Sequence, residues 1–239
     1  MKKGIVGILC IFSMRLILTI IACLILRFGV MESVALQESE NAEWVSELQV
    51  ADSTHQIMIV IANGTNATLS FYQKEKDGCW LELLTTEAYI GKNGIGKVRE
   101  GDNRTPIGKY SFTKAFGVMD NPGTKLNYIK LDQSHYWVDD ANSTYYNQLV
   151  SIRDVRMDWE SAEHLCEYQQ QYRYALAINY NEECEPGVGS AIFLHCITNP
   201  AKLTAGCIAI PEMQMRKILQ IVEEECVLVI DTAEGVVRY

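Results

Sequence analysis

The chain has 239 residues, 48% of them hydrophobic and 21% charged, which is enough apolar sequence to bury a core. At ~150 residues per domain that length makes about one to two domains. A net charge of −9 and a pI near 5.0, with no block of Lys and Arg, exclude a surface built to track nucleic-acid phosphates.

In chain order, the first element is an export segment. Lys2 and Lys3 precede an apolar run from Gly4 to Met14; Arg15 interrupts it, and a second run from Leu16 to Leu26 ends at Arg27. A positive start followed by apolar sequence fits a signal peptide cut after Ser33-Val34-Ala35, or an uncleaved membrane anchor with Arg15 buried at a cost. Ile20-Ile21-Ala22-Cys23 loosely resembles a lipoprotein box, against which Leu24 and Ile25 argue. All three readings export the folded part, with residues 1–35 as the signal or anchor. Residues 36–53 are polar and acidic and read as a stalk or short helix. Residues 54–239 read as the folded domain.

His55 to Ile61 is a β-branched run ending at the turn signal Asn63-Gly64, Ala67 to Gln73 alternates, and Cys79 to Tyr89 forms a third strand, so the domain opens as an antiparallel meander. A loop rich in Gly, Asp and Pro spans Gly91 to Gly108, and a strand restarts at Lys109–Phe112. Tyr128 to Val150 has little periodicity and reads as a long surface loop; Trp159 to Gln171 fits a helix. Tyr172 to Tyr180 and Ser190 to Cys196 read as strands. Pro211 suits the first turn of a helix running to about Glu225, and Cys226 to Ile230 is a last strand. The fold class is mostly β, one sandwich-like or barrel-like domain with one or two helices.

The chemistry concentrates in FLHCITNPAKLTAGCIAIPEM, Phe193 to Met213. A thiolate is a nucleophile, and a histidine partner or nearby amides lower the thiol's ordinary pKa of ~8.5. A hairpin turning at Asn199-Pro200 would bring His195 and Cys207 to one sheet edge. Gly206 would let backbone come close to a substrate carbonyl, so that the amides around Ala205, Gly206 and Cys207 form an oxyanion hole, with Thr204 orienting the site. A cysteine among apolar residues is equally the pattern of a small core side chain, and spacing alone leaves both readings open. Cys196, adjacent to His195 in a strand, points to the other sheet face and reads as core. Of the eight cysteines, Cys10 and Cys23 fall in the export segment; no CxxC pair appears among the other six, which disfavours zinc and leaves their redox state open. His135 near Asp132, Asp139 and Asp140 lacks a recurring ligand spacing, so no metal or cofactor is expected. Gly91–Gly96 lacks the ending of a phosphate loop.

The stretch LHCITNPAKLTAGCIAIP resembles the catalytic motif of the L,D-transpeptidase (YkuD-like) family, in which a His precedes a Ser/Thr-x-Gly-Cys element. Upstream, REGDNRTPIG from Arg99 to Gly108 is similar to the family's Arg-Glu-Gly-Asp-x-x-Thr-Pro-x-Gly signature, and Trp137 to Asn147 resembles a third, weaker element. The resemblance implies a β-rich fold and cysteine acyl transfer on peptidoglycan. Cys207 would attack the carbonyl of the third residue of a stem tetrapeptide, with His195 as general base. The thioester would pass to an amine, giving a 3–3 cross-link, or to water. Two positions depart from the pattern: Ala205 replaces a His before Gly-Cys, and Ala209 replaces an Arg that can meet a substrate carboxylate. Arg99 or Arg104 are then the candidates to hold that carboxylate, with Tyr110, His135 and Tyr146 as further substrate contacts. The alternatives are an L,D-carboxypeptidase or wall hydrolase on the same site, and a non-catalytic peptidoglycan-binding module, for which the Cys/His pair would have no use.

Overall fold

A computed structural model describes residues 42–198 and 203–239. The segment read as an export signal or anchor, and the turn expected at Asn199-Pro200, lie outside the described residues. Among the described residues thirteen strands form: β1 (Gln56–Asn63), β2 (Asn66–Lys74), β3 (Trp80–Tyr89), β4 (Gly108–Tyr110), β5 (Phe112–Gly117), β6 (Tyr128–Lys130), β7 (His135–Val138), β8 (Leu149–Ser151), β9 (Ala162–His164), β10 (Ala175–Ile178), β11 (Phe193–Cys196), β12 (Ile208–Ile210) and β13 (Val227–Asp231). Ten of them make one sheet in the order β4-β13-β1-β2-β3-β12-β11-β10-β5-β6, and β8-β7-β9 make a second, small sheet.

The meander is present: β1 and β2 pair antiparallel around the Asn63-Gly64 turn, and β3 pairs antiparallel with β2 after a second turn. Alternation along each strand sends one set of side chains into an inner core. Met58, Val60, Leu69, Phe71, Leu194, Cys196, Ile208, Ile210 and Leu228 meet there, closed by Met215, Ile218 and Leu219 of the helix Glu212–Ile221. Pro211 stands as that helix's N-cap. The opposite face is covered in two places. At one end, Ile57, Ile59 and Val229 pack on Val45, Leu48, Val50 and Ala51. These come from two 3-10 turns, Glu43–Glu47 and Gln49–Asp52. The described part of the segment read as a stalk is therefore packed structure, because its few apolar residues land on one side and bury. At the other end, Phe116, Ala175, Ala177 and Phe193 pack on Trp137, Leu165 and Tyr172, and Cys207 belongs to this cluster.

Two expectations fail in the middle of the chain. The stretch read as a surface loop, Tyr128–Val150, holds β6, β7 and β8. The helix expected over Trp159–Gln171 is replaced by β9 and the 3-10 turn Leu165–Glu167. Pairing of Tyr136 with His164 and of Trp137 with Glu163 fixes this register, and the stacked Tyr136 and His164 rings, 4.3 Å apart, outweigh helix propensity. A third correction concerns the site. β11 and β12 run parallel, with Leu194 opposite Ile208, so His195 and Cys207 are not joined by a hairpin. Among the described residues no helix is long and apolar enough to cross a membrane.

Candidate active site

Cys207 lies one residue before β12. The parallel register puts His195 opposite Ala209 and, one step back, Phe193 beside Cys207. With a period of two, Cys207, His195 and Ala209 share one face while Cys196 points into the inner core, as its position beside His195 implied.

The turn carrying Cys207 is held from two directions. From within, Thr204 Oγ1 donates to Cys207 O at 2.7 Å and accepts from Gly206 N–H at 3.1 Å. From behind, Thr105, fully buried, donates its hydroxyl to Gly206 O at 2.7 Å and accepts from Gly91 N–H at 2.9 Å. Gly206 sits at φ +150°, where a Cβ would lie 2.9 Å from Arg104 O and 3.0 Å from Ile192 Cδ1. Only glycine lets the turn approach the loop this closely. That loop is organised by Asp102. Its Oδ2 accepts the amides of Val98 (2.8 Å) and Arg99 (3.1 Å), and its Oδ1 accepts the amide of Arg104 (3.1 Å) and Lys97 Nζ (3.2 Å). The Lys97 and Asp102 side chains are only 2% and 7% exposed. Burial alone would raise the Asp102 pKa, but the three amides and the ammonium pull it down to about 2. Glu100 Oε2 accepts from Tyr146 OH at 2.7 Å and Ser190 Oγ at 2.8 Å, tying the loop to the strand approach. The Arg-Glu-Gly-Asp-x-x-Thr-Pro stretch is thus a brace behind the Cys207 turn.

In front of the turn lies a cleft of about 200 Å³ into which Cys207, His195, Thr204, Ala205 and Ala209 open, facing Glu163, Tyr168, Gln171 and Tyr172. His195 is 7% exposed, and its Nδ1 lies 2.9 Å from Cys196 O. A carbonyl only accepts, so Nδ1 carries the proton and Nε2 is left as the acceptor nitrogen. Burial lowers the His195 pKa to about 4, so the ring is neutral near pH 7. Burial, with the Glu163 carboxylate next in weight, pushes the Cys207 thiol up to about 12. Cys207 Sγ donates to Ala191 O at 3.2 Å and accepts from Phe193 N–H at 3.3 Å. At rest the thiol is therefore protonated and points its hydrogen at a backbone carbonyl. The pair shares one cleft without a hydrogen bond between its members, a looseness common in unliganded sites.

The other anticipated contacts go elsewhere. Arg99 is exposed and engages Asp102 through its amide, and Arg104 Nη1 donates to Ile95 O at 2.9 Å. Tyr110 lies on β4 and donates to Ile107 O. His135 Nδ1 accepts from Asp132 N–H at 3.0 Å and also lies 3.0 Å from Asp132 Oδ1. Tyr146 is buried in the Glu100 network. None of the five lines the cleft. The amide of Gly206, expected as an oxyanion donor, is taken by Thr204 Oγ1.

Sequence reasoning missed Glu163 and Tyr172. Tyr172 OH donates to Glu163 Oε2, and the Tyr172 ring meets His195 edge-on at 5.7 Å. Both residues sat in or beside a stretch read as helix, where a carboxylate looks like solvated surface. The alternation Ala162-Glu163-His164 before a Tyr-rich run was the available signal.

The chain belongs to the YkuD family, the L,D-transpeptidase catalytic domain, whose family model matches residues 50–230. Among solved structures, it is similar to the helical cell shape determining protein Pgp2 from Campylobacter jejuni (16% identity, TM-score 0.42, covering 74% of this chain and 47% of that one). It is also similar to an L,D-transpeptidase (Yku) from Stackebrandtia nassauensis (10% identity, TM-score 0.36, covering 85% of this chain and 63% of that one). The chain thus spans about half to two thirds of the length of these structures. No curated protein sequence matches it.

Proposed function

We propose that this protein is an exported peptidoglycan L,D-transpeptidase that works through a Cys207 thioester, its 1–35 segment serving as signal or anchor. The observation that carries the reading is the cleft itself: a buried thiol and a buried imidazole whose Nδ1 is committed to Cys196 O share it. With both groups neutral at rest, the chemistry starts by general-base transfer. A stem peptide enters, Sγ turns from Ala191 O toward the ring, and His195 Nε2 takes the thiol proton as Sγ attacks the carbonyl of the third stem residue. The Cys207 amide faces the developing oxyanion, and Gly206 provides the close approach. Collapse of the intermediate breaks the peptide bond, and His195 returns its proton to the departing terminal D-Ala amine. An acceptor amine, or water, then takes the acyl group and regenerates the thiol.

Incubating the protein with muropeptide tetrapeptides beside a Cys207→Ala variant, with products followed by mass spectrometry, tests this reading. Cross-linked dimers and released D-Ala from the wild type alone are the expected result. Released D-Ala without dimers would make the enzyme an L,D-carboxypeptidase, and equal products from both proteins would remove Cys207 from the chemistry.

A further inference from the structure

The cleft holds one carboxyl group that the reaction above does not use. Among the described residues, no Lys or Arg lines it; the only carboxylate is Glu163. Position 209, two residues after Cys207 and on the same face, is Ala and brings no charge to the cleft. Glu163 has no ion-pair partner among the described residues, and its one hydrogen-bond donor is the neutral Tyr172 hydroxyl. Asp139 lies close enough to act on Glu163 electrostatically, and its buried Oδ1 has no hydrogen-bond partner. Ionising the buried Glu163 carboxyl without a cation is costly, and its field also opposes the Cys207 thiolate. A cationic ligand would relieve both costs.

We propose that Glu163 receives the acceptor substrate as an ammonium ion and takes its first proton, so that the cleft selects a primary amine over water. This rests on the thioester reading above. The balance is complete: Glu163 carboxylate plus R–NH3+ gives the carboxylic acid plus R–NH2. The amine lone pair then forms the new C–N bond, the C–S bond breaks, and the second N–H proton passes through His195 Nε2 to the Cys207 sulfur. Glu163 later loses its proton to solvent. Its pKa, raised by burial to about 7 against the pull of the Tyr172 hydroxyl, suits a group that gains and loses a proton near neutrality.

The test compares wild type with Glu163→Gln on two acceptors at pH 7: a peptide with a protonated primary amine, and hydroxylamine, which is largely neutral there. Acyl-enzyme formation is read by intact mass for both proteins, so that each transfer rate is expressed per acyl-enzyme formed. Transfer to the ammonium peptide should fall at least tenfold, transfer to hydroxylamine should change less than threefold, and raising the pH should restore the first. An equal loss on both acceptors, or no loss on either, overturns the proposal. Binding supplies a readout independent of turnover. Calorimetry on Cys207→Ala should show the free-amine peptide binding at least tenfold tighter than its N-acetylated form, and adding Glu163→Gln should erase that preference. Preference without any wild-type acylation would sink the thioester reading and keep the ammonium subsite; acylation without preference would do the reverse.

Discussion

Two regions flank the Cys207 turn and are built on opposite principles. Behind it, the loop from Gly91 to Gly108 contains little regular structure, and its order comes from polar side chains capturing backbone groups: Asp102 on three amides, Thr105 on Gly206 O. In front, the β7–β9 sheet and the Tyr172 segment are held by aromatic packing, with Phe116, Trp137, Tyr172 and Phe193 rings meeting 4.7 to 6.3 Å apart. The first region needs particular residues at particular spacings, since one carboxylate must reach several amides. The second needs only enough ring area on the correct face. The brace fixes where the sulfur is, and the aromatic wall fixes what may approach it.

Breaking the brace should have the largest effect. Asp102→Ala strips four hydrogen bonds and leaves the Lys97 ammonium buried without its partner, which costs about 3–5 kcal/mol. The urea midpoint should fall accordingly and acylation should disappear with it. The pH dependence has a definite sign. The Asp102 pKa is depressed in the fold, so its contribution is complete above the ordinary carboxylate range and is lost as pH falls from about 4 through about 2. Asp102→Asn should therefore lower stability at pH 7 and flatten the acid limb of a stability–pH curve between those values.

A narrower break is Thr105→Val, which keeps the shape and removes the bonds to Gly206 O and Gly91 N–H. A loss of about 1–3 kcal/mol follows from the groups left unsatisfied. The acylation rate should fall by about tenfold or more as the turn loosens, while the fold persists in circular dichroism.

The wall should respond more mildly. Tyr172→Phe deletes only the hydroxyl on Glu163 and should cost about 1 kcal/mol, measured by thermal melting. It should shift the acceptor-transfer pH profile upward while leaving acylation nearly unchanged. That split between the two half-reactions is what separates the wall from the brace.

The same contrast explains what the sequence revealed. Arg-Glu-Gly-Asp-x-x-Thr-Pro and Thr-x-Gly-Cys were legible because each polar residue has a fixed backbone duty, and through them the sequence singles out Cys207, His195, Gly206 and Thr204 as candidates, which the fold brings to one cleft or its supporting turn. The opening meander was legible from alternation around Asn63-Gly64. The wall was not. Its strands of three or four residues are too short for a period, and β9 depends on Tyr136 stacking against His164, a contact 28 residues apart in sequence. Arg99 and Arg104 lie off the cleft for a related reason: the loop uses their backbone amides and turns the guanidinium of Arg104 onto Ile95 O. The parallel pairing of β11 with β12 was also hidden, since a short connection ordinarily signals a hairpin.

The most direct measurement is the mass of the intact protein after exposure to a stem tetrapeptide, followed by peptide mapping. The account requires an adduct equal to the donor less its terminal D-Ala, held on Cys207 as a hydroxylamine-labile thioester and missing from Cys207→Ala. An unmodified Cys207 under conditions where D-Ala is nevertheless released, or an adduct mapped to another of the described cysteines, would contradict it.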